Sequence, residues 1–131
     1  LKLIELEVII DDRFVHKQRS DGIIVSTPTG TTAYALSAGG PILHPNLDAI
    51  SIVPISPHTL SNRPIAVSAD SEILIKIINM DEAYASIDGQ IQIPLDKKDS
   101  IRIKKAKQSI SILHPKDYCY FEMLRNKLNW G

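Results

Sequence analysis

The 131-residue chain holds one cysteine, Cys119, so neither an internal disulfide nor a cysteine-based zinc site can hold it together. That scarcity fits a reducing, cytoplasmic setting, and Cys119 itself is expected as a half-buried thiol on a helix face, not as a nucleophile. Excess basic charge is also missing. Fifteen Lys and Arg balance fifteen Asp and Glu to a formal net charge of zero, which excludes a generally basic surface and argues against nucleic acid as the main partner. No apolar run reaches the ~18 residues of a membrane span, and the first residues carry no signal-peptide pattern. The four histidines, His16, His44, His58 and His114, are scattered without the HExxH pairing of a metal-ligating helix. No methionine stands first; the chain opens inside the apolar stretch Leu1 to Ile10, and we expect it to be the C-terminal piece of a longer protein.

What is present is a β pattern. With 44% apolar residues the chain can bury a core without a metal, and its length suits one domain over residues 1–131. Leu1 to Ile10 is rich in strand formers, Asp11-Asp12 turns it into Phe14 to Arg19, and Gly22 to Val25 makes a short buried strand. Ala49 to Val53 makes another, which Pro54 and Pro57 are expected to close. Further on, Ile73, Ile75 and Ile77, then Ile91, Ile93 and Leu95, then Ile101 and Ile103, then Ile110 and Ile112 repeat a period of two. Asp88-Gly89 between Ile87 and Ile91 is a two-residue hairpin signal, because Gly accepts the positive φ such turns need. We expect about ten strands and a mainly β, sandwich-like fold.

Two segments break the alternation. Thr31 to Ala38 reads as a short helix stopped by Gly39-Gly40-Pro41. Asp117 to Leu128, within a tail at 116–131, reads as a C-terminal helix capped by Asp117, with Phe121, Leu124 and Leu128 as its apolar stripe. It fits equally a docking element for another part of the protein and a helix packed on its own sandwich.

Arg19 to Pro41 carries the chemistry: a strand, a hydroxyl-rich turn, then a helix start. Free backbone N–H groups and hydroxyls of Thr29, Thr31 and Thr32 would suit phosphates, a ribose or a base edge. Tyr34 is placed to stack on a base, and Asp21 brings a carboxylate to the strand entry. The turn is neither a GxxxxGK[ST] loop nor a GxGxxG fingerprint. Simple helix capping explains the same residues, and the spacing alone leaves both readings open.

The block Asp21-Gly-Ile-Ile-Val-Ser-Thr-Pro-Thr-Gly-Thr-Thr-Ala-Tyr34 with Ser37-Ala-Gly-Gly-Pro-Ile42 resembles the signature of NAD kinases. The likeness continues through Pro54 to Ile65, Asp88-Gly89-Gln90 and His114 to Tyr118, so it covers nearly the whole chain and most resembles the bacterial proteins. It implies the C-terminal β domain of an enzyme that uses ATP, with Mg2+ or another divalent metal, to phosphorylate the adenosine 2′-hydroxyl of NAD and give NADP. The family's catalytic aspartate sits in a Gly-Gly-Asp-Gly motif of an N-terminal α/β domain, and an Asn-Glu pair holds ribose hydroxyls. Neither motif occurs here, so the resemblance implies an isolated chain without kinase activity. It assigns NAD contacts to Asp21, Thr29, Thr32, Ala33, Tyr34 and Ser37, and it places a selector of NAD over NADH at Arg19. Gln90 and Lys2 match further ligand positions. His58 and Arg63 receive a structural role, with Arg63 pairing a carboxylate or loop carbonyl. The implied partners are NAD or NADP, ATP, the N-terminal domain and further copies in a homodimer or homotetramer. The alternatives are a non-catalytic nucleotide-binding or oligomerisation β module and, lower, a lipid kinase.

Overall fold

The computed structural model describes residues 3–59 and 61–131, so Lys2 lies outside the described residues. Nine strands occur among them: β1 Ile4–Ile10, β2 Arg13–Ser20, β3 Gly22–Ser26, β4 Ala49–Ile55, β5 Ile65–Ser68, β6 Ile73–Asn79, β7 Ala83–Ile87, β8 Ile91–Leu95 and β9 Ser100–Ile103. They pair antiparallel into a four-stranded sheet β2-β1-β6-β9, a three-stranded sheet β3-β4-β5 and the hairpin β7-β8. The period-two pattern explains the packing. Leu6 and Val8 of β1 with Ile73 and Ile75 of β6 point one way, and Ile50 and Ile52 of β4 meet them from the facing sheet, all buried in one cluster. Ile23, Val25, Ile101 and Ile103 complete its edges. The expected mainly β sandwich is found.

Aspartates make the first turn. Asp11 and Asp12 both have positive φ, 50° and 63°, which Asp tolerates better than most residues and which the twist of a tight hairpin favours. Asp11 also clips that hairpin to the next strand: its N–H donates to Glu72 O at 3.0 Å, and its Oδ1 accepts from Glu72 N at 2.9 Å.

Several expectations need correction. Ile110 and Ile112 lie in no strand; Ile110 is 91% and Leu113 94% exposed. Their alternation is real, but without a neighbouring strand edge a segment has nothing to pair with. The strand β5 was not anticipated, although Ile65 and Val67 alternate. Pro54 lies inside β4, opposite Ile23. The neighbour β5 pairs only as far as Ile52, so at Pro54 one side of β4 is open and no ladder donor is missed. Three residues separate the paired Ile87 and Ile91, one more than a two-residue hairpin, with Asp88 and Gly89 both at positive φ.

The expected helix over 31–38 is a 3₁₀ turn, Thr29–Thr32, followed by the single-turn α1, Tyr34–Ser37, broken at Ala33. The C-terminal helix α2 spans Tyr120–Leu128; Asp117 does not cap it, and Cys119 stands at its N-cap, exposed and without a side-chain cap bond. Of the expected stripe, Leu124 is buried while Phe121 stays exposed. No described helix is long and apolar enough to cross a membrane.

Ile52 is 1% exposed at the centre of the shared core. Ile52→Ala should lower unfolding stability by about 3 kcal/mol, the sum of lost transfer energy and a residual cavity, measured by urea denaturation. A loss below about 1 kcal/mol would mean that the sheets do not share this core.

Candidate functional site

Strand β4 is buried on both faces, which places the hydroxyl-rich turn. Ile50 and Ile52 face the core, while Ser51 and Val53 alternate to the other side. There the segment after α1 closes over them. A β-carbon on Gly40 would stand 2.7 Å from Val53 Cγ2 and 2.8 Å from Ala35 O, so only glycine fits. Gly40 N–H donates to Ala35 O at 2.8 Å, and Gly39 turns the chain with φ 86°.

Inside the turn the polar groups satisfy one another. The N–H groups of Gly30, Thr31 and Ala33 donate to the carbonyls of Thr27, Pro28 and Gly30 at 3.0–3.1 Å. Thr31 is fully buried; its hydroxyl donates to Pro28 O at 2.6 Å and accepts from Leu43 N at 3.0 Å. This corrects the expectation that the turn offers those N–H groups and the Thr31 hydroxyl to a ligand: they hold the turn, and four-residue α1 has little dipole to offer. The other assigned residues reach the surface. Thr29, Ala33, Tyr34 and Ser37 are exposed and Thr32 is half-buried. Beneath them, Ser26 and Ser51 stand directly opposite on β3 and β4, and their buried hydroxyls have no hydrogen-bond partner among the described residues.

Two distant segments meet here. A β-carbon placed on Gly89 would lie 3.7 Å from Tyr34 Cε2, so the Asp88–Gln90 turn of the β7-β8 hairpin sits beside the tyrosine ring. Helix α2 reaches the same turn: Lys127 Nζ donates to Thr32 Oγ1 at 3.2 Å, and the His44 ring meets those of Tyr120 and Phe121 at 4.8 and 5.4 Å between centroids. Lys127 had no sequence signal beyond its position in a predicted helix.

Arg19 sits near the end of β2 and Asp21 at the corner between β2 and β3. Strand β3 carries the chain about 20 Å from Asp21 to Thr27, and the segment 29–40 then folds back along β3 and β4, with Gly40 against Val53. Arg19 Nε lies 3.7 Å from Glu5 Oε2, and Lys17 Nζ lies 2.9 Å from Glu5 Oε1. The Lys17 hydrogen bond is the main reason the Glu5 carboxyl falls below its ordinary 4.5, and the same bond raises Lys17 above 10.5. His58 N–H donates to Arg19 O at 3.0 Å, while Arg63 is exposed and forms no ion pair among the described residues, contrary to expectation.

Two clefts, one lined by Ile9, Asp11, Asp12, Glu72, Leu74 and Arg102 and the other beside Pro115 and Cys119, contain none of the assigned residues. No three His, Cys, Asp or Glu side chains converge to hold a metal among the described residues.

Residues 1–114 match the model of the ATP-NAD kinase C-terminal domain family. The chain is 53% identical over 130 residues to an NAD kinase of Thiobacillus denitrificans, covering 99% of this chain and 45% of that protein. It is 56% identical over 132 residues to one of Aeromonas salmonicida, covering 98% and 45%. It thus spans less than half the length of these curated relatives. Among solved structures, a yeast NADH kinase complexed with NADH superposes with a TM-score of 0.87 at 32% identity, over 98% of this chain and 40% of that one. An NAD kinase from Archaeoglobus fulgidus in complex with ATP gives 0.72 at 32% identity, over 80% and 40%.

Thr31→Val should cost about 1–3 kcal/mol, because it removes the buried Thr31 hydroxyl's bonds to Pro28 O and to the half-buried Leu43 N–H, whereas exposed Thr29→Val should stay within about 0.5 kcal/mol; thermal melting compares them. The Glu5–Lys17 pair should stabilise the fold between its two titrations. Its contribution is present above the ordinary Glu value of 4.5 and lost as pH falls through the lowered folded value. It is present below the ordinary Lys value of 10.5 and lost as pH rises through the raised one. Lys17→Met should flatten that difference in melting against pH.

Proposed function

The chain belongs to the ATP-NAD kinase C-terminal domain family, and on that premise we propose that it is the NAD-binding part of an NAD kinase. In this reading the parent enzyme transfers the γ-phosphoryl group of ATP to the adenosine 2′-hydroxyl of NAD. The observation that carries the proposal is the meeting of Tyr34 with the Asp88–Gln90 turn: two segments assigned to one ligand, far apart in sequence, lie side by side.

The chain's share of the work is positioning. Tyr34 and Ala33 pack against a ring of the dinucleotide, Thr29, Thr32 and Ser37 bind its polar edges, and Gln90 closes on it from the hairpin. Asp21 accepts from an amide or amine, and Arg19 takes part in selecting NAD over NADH. An aspartate of the N-terminal α/β domain takes the proton of the attacking hydroxyl, and a divalent metal arriving with ATP shields phosphate charge. Phosphoryl transfer depends mainly on such positioning and charge neutralisation. By itself the chain is proposed to be catalytically silent, since the Gly-Gly-Asp-Gly motif is not in it. The proposal includes a homodimer or homotetramer through this domain, with sites shared between copies, as the family resemblance implies. A cytoplasmic setting suits these substrates.

The test is NADP formation by the full-length protein with NAD, ATP and magnesium. Tyr34→Ala should raise KM for NAD about tenfold, the loss of one stacked base contact, and Asp21→Ala should do likewise while KM for ATP moves little. No NADP from folded full-length protein would instead favour a non-catalytic nucleotide-binding or oligomerisation module. Equal losses for both substrates would remove Tyr34 and Asp21 from the NAD site.

A further inference from the structure

The inward face of β2 is polar where a sandwich strand should be apolar. Gln18 is 2% and Ser20 0% exposed, and half-buried His16 completes the row at a period of two. These side chains form a continuous hydrogen-bond chain. His16 Nε2 lies 2.9 Å from Gln18 Oε1, Gln18 Nε2 lies 2.7 Å from Ser20 Oγ and 3.3 Å from Gly22 O, and Ser20 Oγ lies 2.9 Å from Gly22 O.

The end of the chain fixes its direction. A carbonyl oxygen only accepts, so the Ser20 O–H must donate to Gly22 O. Ser20 Oγ then accepts from the Gln18 amide nitrogen, which leaves Gln18 Oε1 to accept from His16 Nε2–H. His16 thus donates to Gln18, Gln18 Nε2 donates to Ser20 Oγ and Gly22 O, and the chain ends on the carbonyl just past the β2–β3 corner. That corner is Asp21, and its other groups are held as firmly. Asp21 N–H donates to Ile55 O at 3.0 Å, and Arg19 O accepts from His58 N at 3.0 Å. A β-carbon on Gly22 would stand 3.3 Å from Ile55 Cδ1, so the residue after the corner packs closely against β4. Because strand residues alternate, a row of inward Gln18 and Ser20 sets the outward aim of Arg19 between them.

We propose that Gln18 and Ser20 are positioning residues for the dinucleotide site: their buried hydrogen-bond chain to the Gly22 carbonyl fixes the corner from which Asp21 and Arg19 reach NAD. Apolar residues in the same volume would leave the Gly22 carbonyl without these donors, so one set of bonds both satisfies the corner and sets its orientation. The proposal rests on the NAD kinase reading above and names residues that the resemblance left unassigned.

The experiment uses the full-length enzyme. Gln18→Glu keeps the shape but gives a carboxylate with no donor for Ser20 or Gly22 O; Ser20→Ala removes the link to the carbonyl. Each is measured for KM of NAD and of ATP, kcat, calorimetric NAD affinity and melting temperature. The expected result is a rise of about tenfold in KM and Kd for NAD, since a small misplacement of a contact group is enough, with KM for ATP within about twofold. Unchanged NAD parameters in folded variants would overturn the proposal. So would NAD and ATP parameters that worsen together, and so would failure of both variants to fold, which would make the network structural only. If the unmodified enzyme forms no NADP, the kinase reading fails separately, and calorimetric NAD binding alone then decides whether Gln18 and Ser20 position the corner.

Discussion

Burial of β4 on both faces is the constraint on which the rest depends. Its core side supplies Ile50 and Ile52 to the cluster shared with β1 and β6. Its other side puts Val53 against Gly40 so closely that no side chain fits between them. One strand therefore couples the hydrophobic core to the hydroxyl-rich turn. The backbone of 29–40 cannot shift without either opening a gap over Val53 or pushing β4 into the core, and dense interiors resist both. A surface turn tied in this way has the rigidity that ligand positioning requires.

The same coupling explains how polar groups are distributed in the turn. Buried groups, such as the Thr31 hydroxyl, are committed to the protein through Pro28 O and Leu43 N. Groups that face outward, from Thr29 to Ser37, remain on the surface. The residues that build the site and those that meet the ligand are thus interleaved in one segment. Ser26 and Ser51 depart from this economy: two buried hydroxyls lie under the turn without partners among the described residues. Local inconsistencies of that kind concentrate at functional sites.

Much of this was legible because β structure writes itself in a period of two. Leu6, Val8, Ile50, Ile52, Ile73 and Ile75 announce the core before any coordinates are known. The parts that were not legible depend on neighbours. Ile110 and Ile112 alternate as well as any strand, yet pairing needs an edge that sequence does not show. Pro54 looked like a terminator because the open side of β4 beyond Ile52 could not be read from residue order. The helix at 31–38 was split where Thr31 is tied to Pro28 O and Leu43 N and Gly40 packs on Val53 of β4, tertiary ties that override helix propensity. In the site, Tyr34 and the Asp88–Gln90 turn were each visible, but their meeting was not, since tertiary contact carries no local signal. The segment Phe14 to Arg19 was read simply as a strand, and the row His16, Gln18, Ser20 went unremarked, because residue order does not show which face of a strand turns inward.

Strand β3 also acts as a spacer. Its five residues carry the chain about 20 Å from the Asp21 corner to the start of the Thr-rich turn, and both ends are held by other elements: the β2 polar chain and His58 at one, the pairing of Ser26 with Ser51 of β4 at the other. A loop of equal length would let that distance fluctuate. A paired strand in a buried sheet keeps it constant, and its hydrogen-bonded register with β4 fixes the direction as well. Under the proposed function this constancy matters more than any single contact, because a 2′-hydroxyl must arrive in line with a phosphoryl group that another domain holds. The two recognition ends would then be set by the sheet, and chemistry supplied from outside the chain could rely on a fixed acceptor.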